Sequence, residues 1–73
     1  MSPKLPSLNG KEVAAILKKH GFALVNQRGS HAKYRDGAGR TTIVPMHGSE
    51  EIGPGLLRKI LSDAEIDPDT LRK

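Results

Sequence analysis

Two stretches of helical period bracket a β-prone segment cut by glycine turns, and that order narrows the folds open to this chain. The first stretch opens at Asn9-Gly10-Lys11-Glu12-Val13. Asn9 suits a helix N-cap, and Glu12 stands three residues on, where its carboxylate reaches back to the Asn9 amide. Leu8 and Val13 occupy the two positions of a hydrophobic staple. Val13, Ile16, Leu17 and His20 then recur at helical spacing, with Lys11, Lys18 and Lys19 mostly off that stripe. Gly21 supplies the left-handed residue that ends a helix, so the spacing predicts a helix over 10–20. The second stretch opens at Gly53-Pro54, with proline at a position where its missing amide costs nothing. Its apolar stripe is Ile52, Leu56, Leu57, Ile60, Leu61 and Ala64. Asp67-Pro68-Asp69-Thr70-Leu71 repeats a capped start and predicts one last helical turn.

Between the helices, Phe22 to Gln27 is β-prone and closed by Arg28-Gly29. Ser30 to Arg35 alternates, Asp36-Gly37-Ala38-Gly39 is a hairpin connection, and Arg40 to Met46 is rich in β-branched residues. His47 to Ile52 reads as a loop. Pro45 lacks an amide donor, which confines it to a sheet edge or a strand end. The expected fold class is therefore α+β in the order α-β-β-β-α, a three-stranded antiparallel meander with both helices on one face. The other face is left to solvent. Which way the outer strands turn is open, because Phe22 and Leu24 compete with Ala23 and Val25, and Ile43 with Val44.

Seventy-three residues make one expected domain over 1–73, with Met1 to Pro6 a loose arm. A chain this short buries only about 60% of the surface its unfolded form exposes. It has no cysteine, so disulfides and thiolate-bound zinc are excluded, as suits a reducing cytoplasm. No apolar run approaches the roughly 20 residues of a membrane span and no signal peptide is seen. Charge is unevenly placed: residues 1–59 carry net +6 and residues 60–73 net −2. A basic body with an acidic end suits a polyanion met by one face.

The middle strand carries the chemistry. Its alternation sets His31, Lys33 and Arg35 on one face and Ala32 and Tyr34 on the other. Ala32 and Tyr34 are the natural core pair, so His31 points to the open face beside two cations. An imidazole, with a reference pKa of about 6.5, gives or takes a proton near neutrality, and positive neighbours suit a phosphodiester gaining charge. Gly29-Ser30 brings backbone amides near a phosphate. Arg28, Lys33, Arg35 and Arg40 flank the strand turns and could follow a phosphate chain. The plain alternative for His31 is a surface histidine on a basic strand. His20 reads as a helix-end residue, and His47 as a loop residue able to hold phosphate or orient a second group. The three histidines fit no short metal-ligand spacing, and no carboxylate cluster suggests magnesium, so no metal site is expected. Phosphate-loop and dinucleotide patterns are absent, so no cofactor is expected either. Phe22 and Tyr34 are the only aromatics and both read as core, which leaves base stacking to neither and implies backbone-dominated contact.

Gly29-Ser30-His31-Ala32-Lys33-Tyr34-Arg35 resembles the middle-strand signature of the HicA toxin family. Ile43-Val44-Pro45-Met46-His47 through Glu51-Ile52 is similar to that family's third strand and loop, and Gly53-Pro54-Gly55-Leu56-Leu57-Arg58-Lys59-Ile60-Leu61 to its closing helix. Asn9-Gly10-Lys11-Glu12, Leu17 and Gly21-Phe22 fit its opening helix. The resemblance spans about residues 7–66, and the order and spacing of the blocks are more specific than any one of them. Ala32 departs, standing where many relatives carry something larger. The resemblance implies a fold like a double-stranded-RNA-binding domain, and translation-blocking cleavage of mRNA by one histidine of the middle-strand motif, a role that falls on His31. It also implies a HicB-type antitoxin that covers the active face.

These features favour a metal-independent endoribonuclease toxin acting on RNA. A non-catalytic RNA-binding module of the same fold is the second reading, and a protein-interaction domain the third. A helix-turn-helix DNA binder is disfavoured because three strands separate the helices.

Overall fold

The computed structural model describes residues 6–71. The arm expected over Met1 to Pro6 lies, apart from Pro6, outside the described residues. In chain order the elements are β1 (Leu8–Asn9), α1 (Gly10–Lys19), β2 (Ala23–Arg28), β3 (His31–Arg35), β4 (Thr41–Pro45), β5 (Glu51–Ile52), α2 (Pro54–Ala64) and a 3-10 turn at Pro68–Leu71. The α+β reading and its helix–three strands–helix order hold.

Helix α1 begins as the sequence requires. The Glu12 amide donates to Asn9 Oδ1 and the Asn9 amide to Glu12 Oε1, both at 2.9 Å. The helix ends one residue earlier than expected, at Lys19, with Gly21 at φ +87°. There His20 has a structural role, its Nδ1 donating to the Ile16 carbonyl at 3.0 Å. Helix α2 ends at Ala64 and is capped by Glu65, a left-handed residue at φ 54° that is not glycine.

Strands β2, β3 and β4 form one antiparallel sheet in that order. Val13, Ala14 and Leu17 from α1, and Leu57, Ile60, Leu61 and Ala64 from α2, bury themselves against Ala32, Tyr34 and Val44. Both helices therefore cover one sheet face. The open question of strand orientation resolves by packing. In β4, Thr42 and Val44 turn inward and Ile43 outward. Buried Thr42 donates its hydroxyl to Asp63 Oδ2 at 3.4 Å, giving a buried polar group a partner. At β2, Phe22 just before the strand supplies the buried aromatic, and every strand residue is exposed. The helices lie over β4 rather than over this edge. Leu24 pairs with Tyr34 and Asn26 with Lys33, so Val25 is the extra residue of a β-bulge.

One expectation needs correction. The stretch His47 to Ile52 is not wholly loop, because Glu51–Ile52 pairs antiparallel with Leu8–Asn9. This short ladder ties the start of α1 to the start of α2. Gly10 then presses on the end of β4, where a Cβ would lie 2.5 Å from the Pro45 carbonyl oxygen. Any side chain at that position must push α1 off the strand.

Candidate nucleic-acid interface

The register arranges the open face in three rows. Arg28, His31 and Pro45 lie side by side, then Asn26, Lys33 and Ile43, then Ala23, Arg35 and Thr41. Direct cross-strand neighbours have Cβ atoms about 4.5–5.5 Å apart. Arg28, Lys33 and Arg35 thus surround His31 along and across the sheet, and β2, β3 and β4 contain no Asp or Glu. A face with three permanent cations and no carboxylate attracts a phosphate chain.

The turn before His31 is firmly held. Gly29 adopts φ +56° as the first residue of a two-residue hairpin turn, a place suited to glycine. Its carbonyl accepts from Gln27 Nε2 at 3.0 Å, while the Ser30 carbonyl accepts from the Met46 amide. Among the described residues the His31 ring itself makes no hydrogen bond or ion pair, so it is free to meet a ligand.

Arg40 stands elsewhere. It lies just beyond the opposite end of the β3–β4 ladder, about 17 Å from the His31–Pro45 pair at roughly 3.3 Å per residue. Its Nε donates to Asp36 Oδ2 at 2.7 Å, and its terminal nitrogen lies 3.2 Å from Glu65 Oε1. The Asp36 carboxylate also accepts from the amides of Ala38 and Arg40 at 3.1 and 2.8 Å. Arg40 thereby clasps the hairpin to the end of α2. Desolvation of the Asp36 side chain, which is 5% exposed, is the largest single influence on its acidity and pushes the pKa up. Hydrogen bonds from Arg40 and Ala38, with the Arg40 charge, outweigh it and hold the pKa below the ordinary 3.8. The hydrogen bond to Asp36 and its charge raise Arg40 in turn.

A carboxylate whose pKa is depressed by folding contributes stability in full above its unfolded value and loses it as pH falls through the folded one. Asp36→Asn should therefore be less stable than the wild type at neutral pH. The gap should close as pH drops below 3.8. Chemical denaturation of both proteins across that range checks it, and a gap independent of pH would assign the effect to hydrogen bonding alone.

A groove of about 560 Å³ runs along β4 and α2, with His31, Lys33, Ile43 and Pro45 on the strand side and Leu56 and Lys59 on the helix. A smaller hollow of about 260 Å³ holds His47, Glu50 and Glu51, and shares Pro45 and Leu56 with the first. The structure therefore sets His31 and His47 in adjoining hollows that meet at Pro45. The groove's Ile43, Leu56 and Lys59 escaped sequence reasoning, since they come from separate elements and form no spaced motif. Among the described residues no three His, Asp or Glu side chains gather as metal ligands. No helix there is long and apolar enough to cross a membrane.

A family model described as the HicA toxin of bacterial toxin–antitoxin systems matches residues 10–73. No curated protein matches the chain at a significant level.

Proposed function

This chain belongs to the HicA toxin family of bacterial toxin–antitoxin systems, and we propose that it is an endoribonuclease that cleaves mRNA and so blocks translation. The observation that carries this reading is the placement of His31, unpartnered, on a cationic sheet face without carboxylates. Arg28, Lys33 and Arg35 hold the phosphate chain, and the amides of Gly29 and Ser30 lie beside the scissile group. His31 acts as general base, taking the proton of the ribose 2′-hydroxyl. The 2′-oxygen bonds to phosphorus and the bond from phosphorus to the 5′-oxygen breaks. The leaving oxygen takes a proton from a second group, and His47 is the proposed donor because its hollow shares Pro45 and Leu56 with the groove at His31. Lys33 offsets the charge gathered on the phosphoryl oxygens. No step is assigned to a metal. A HicB-type antitoxin is the partner that restrains the activity.

This chemistry fixes the products. Incubation of the purified chain with an mRNA transcript in excess EDTA should yield 2′,3′-cyclic phosphate and 5′-hydroxyl ends. Fragments with 5′-phosphates, formed only with added magnesium, would overturn the mechanism.

A further inference from the structure

Strand β4 is an edge with β3 on one side only. The Met46 amide donates to the Ser30 carbonyl, which makes His31–Pro45, Lys33–Ile43 and Arg35–Thr41 the non-hydrogen-bonded pairs of the ladder. The amides and carbonyls of Thr41 and Ile43 consequently point away from β3, toward the groove. Pro45 brings no amide to that edge, and its carbonyl already faces Gly10. The unpaired length is therefore short and defined: two donors and two acceptors, on Thr41 and Ile43.

The surroundings select what could pair there. Ile43 is 53% exposed and Leu56 41%, and with Pro45 they give the groove an apolar floor. Lys33 has no ion pair among the described residues. Lys59 stands opposite on α2, and the only carboxylate lining the groove among the described residues, Asp63, is already engaged by Lys59 at 3.3 Å and by Thr42. An apolar floor with cations on its rim complements a chain whose apolar residues alternate with carboxylates. It gives a nucleobase no stacking platform, since no aromatic side chain is exposed, so RNA meets this face through its phosphates at His31 and Lys33 rather than along the apolar floor. The other edge, β2, is interrupted by the Val25 bulge, a device that disfavours regular pairing.

We propose that the outer edge of β4, with the flank of α2, accepts an extended acidic-apolar segment of the antitoxin as a fourth strand. Main-chain bonds to Thr41 and Ile43 supply register, and the pocket between Ile43 and Leu56 takes an apolar side chain. The added strand runs past His31 and Lys33, and so closes the site from its edge. This rests on the chain's having an antitoxin partner and not on its cleaving RNA.

The test uses the full chain and its cognate antitoxin. Amide hydrogen exchange followed by NMR should slow at Thr41 and Ile43 on complex formation, and stay unchanged along Ala23–Arg28. Ile43→Pro removes an outward amide without touching the ladder to β3, and should weaken antitoxin binding at least about tenfold. Ile43→Lys, which keeps the amide but removes the apolar contact, gives the same readout if the proline variant does not fold. Val25→Lys on the bulged edge should bind like the wild type. Protection that maps to β2, unchanged exchange on β4, or slowing of these amides by RNA but not by the antitoxin would each overturn the proposal. Loss of RNA cleavage as a function would leave these results untouched, and the converse also holds.

Discussion

His31→Ala should lower RNA cleavage by about 10²–10⁴-fold, the usual contribution of a proton-transfer group, while the protein stays folded. The two halves of this expectation have separate causes. His31 opens β3 with its side chain on the solvent face, and among the described residues its ring makes no hydrogen bond. Surface substitutions of this kind usually change stability by no more than about 0.5 kcal/mol. The structure's integrity comes instead from Ala32 and Tyr34, on the opposite side of the same strand. Growth and RNA integrity after induced expression give the first reading, and cleavage by the purified, folded variant the second. Lys33→Ala serves as comparison, because a phosphate-holding residue should act chiefly through binding and its salt dependence. If His31→Ala halts growth as the wild type does, with RNA intact in both, the chain acts by binding RNA.

The middle strand was legible because its pattern is unambiguous. His-Ala-Lys-Tyr-Arg leaves only one assignment of faces, since Ala32 and Tyr34 are the residues that tolerate burial. The start of α1 was legible for a similar reason: Asn9 and Glu12 complete a local device that needs nothing from the rest of the fold. The outer strands were not, because Ile43 and Val44 are equally apolar, and the choice falls to where α1 and α2 sit. The β1–β5 ladder is two residues long on each side, too short to leave a periodic signal. Arg40 illustrates a different limit. Its charge is visible in the sequence, but its commitment to Asp36 and Glu65 depends on a turn that folds back on itself and on the end of α2. The groove beside His31 is a purely tertiary feature, assembled from β3, β4 and α2.

Leu17→Ala should have the opposite profile to His31→Ala, losing the fold while every residue of the interface is retained. Leu17 is fully buried in α1, facing the core that α2 and the sheet share. Truncating such a leucine removes transfer energy and leaves a cavity, at a cost of about 2–5 kcal/mol. A domain of this length has a total stability of only about 4–11 kcal/mol, and there is no disulfide to limit the unfolded state. The melting temperature, followed by circular dichroism, should fall by at least about 8 °C. A fall of only a degree or two would mean that the α1 core is not what holds the chain together. The antitoxin separates the two variants further. A partner that binds only the folded form adds about 2.7 kcal/mol at a hundredfold excess over its Kd, enough to offset much of the Leu17→Ala loss. Co-expression should therefore restore the abundance of Leu17→Ala, whereas it can return nothing to His31→Ala, whose defect lies in the missing imidazole and not in the folding equilibrium.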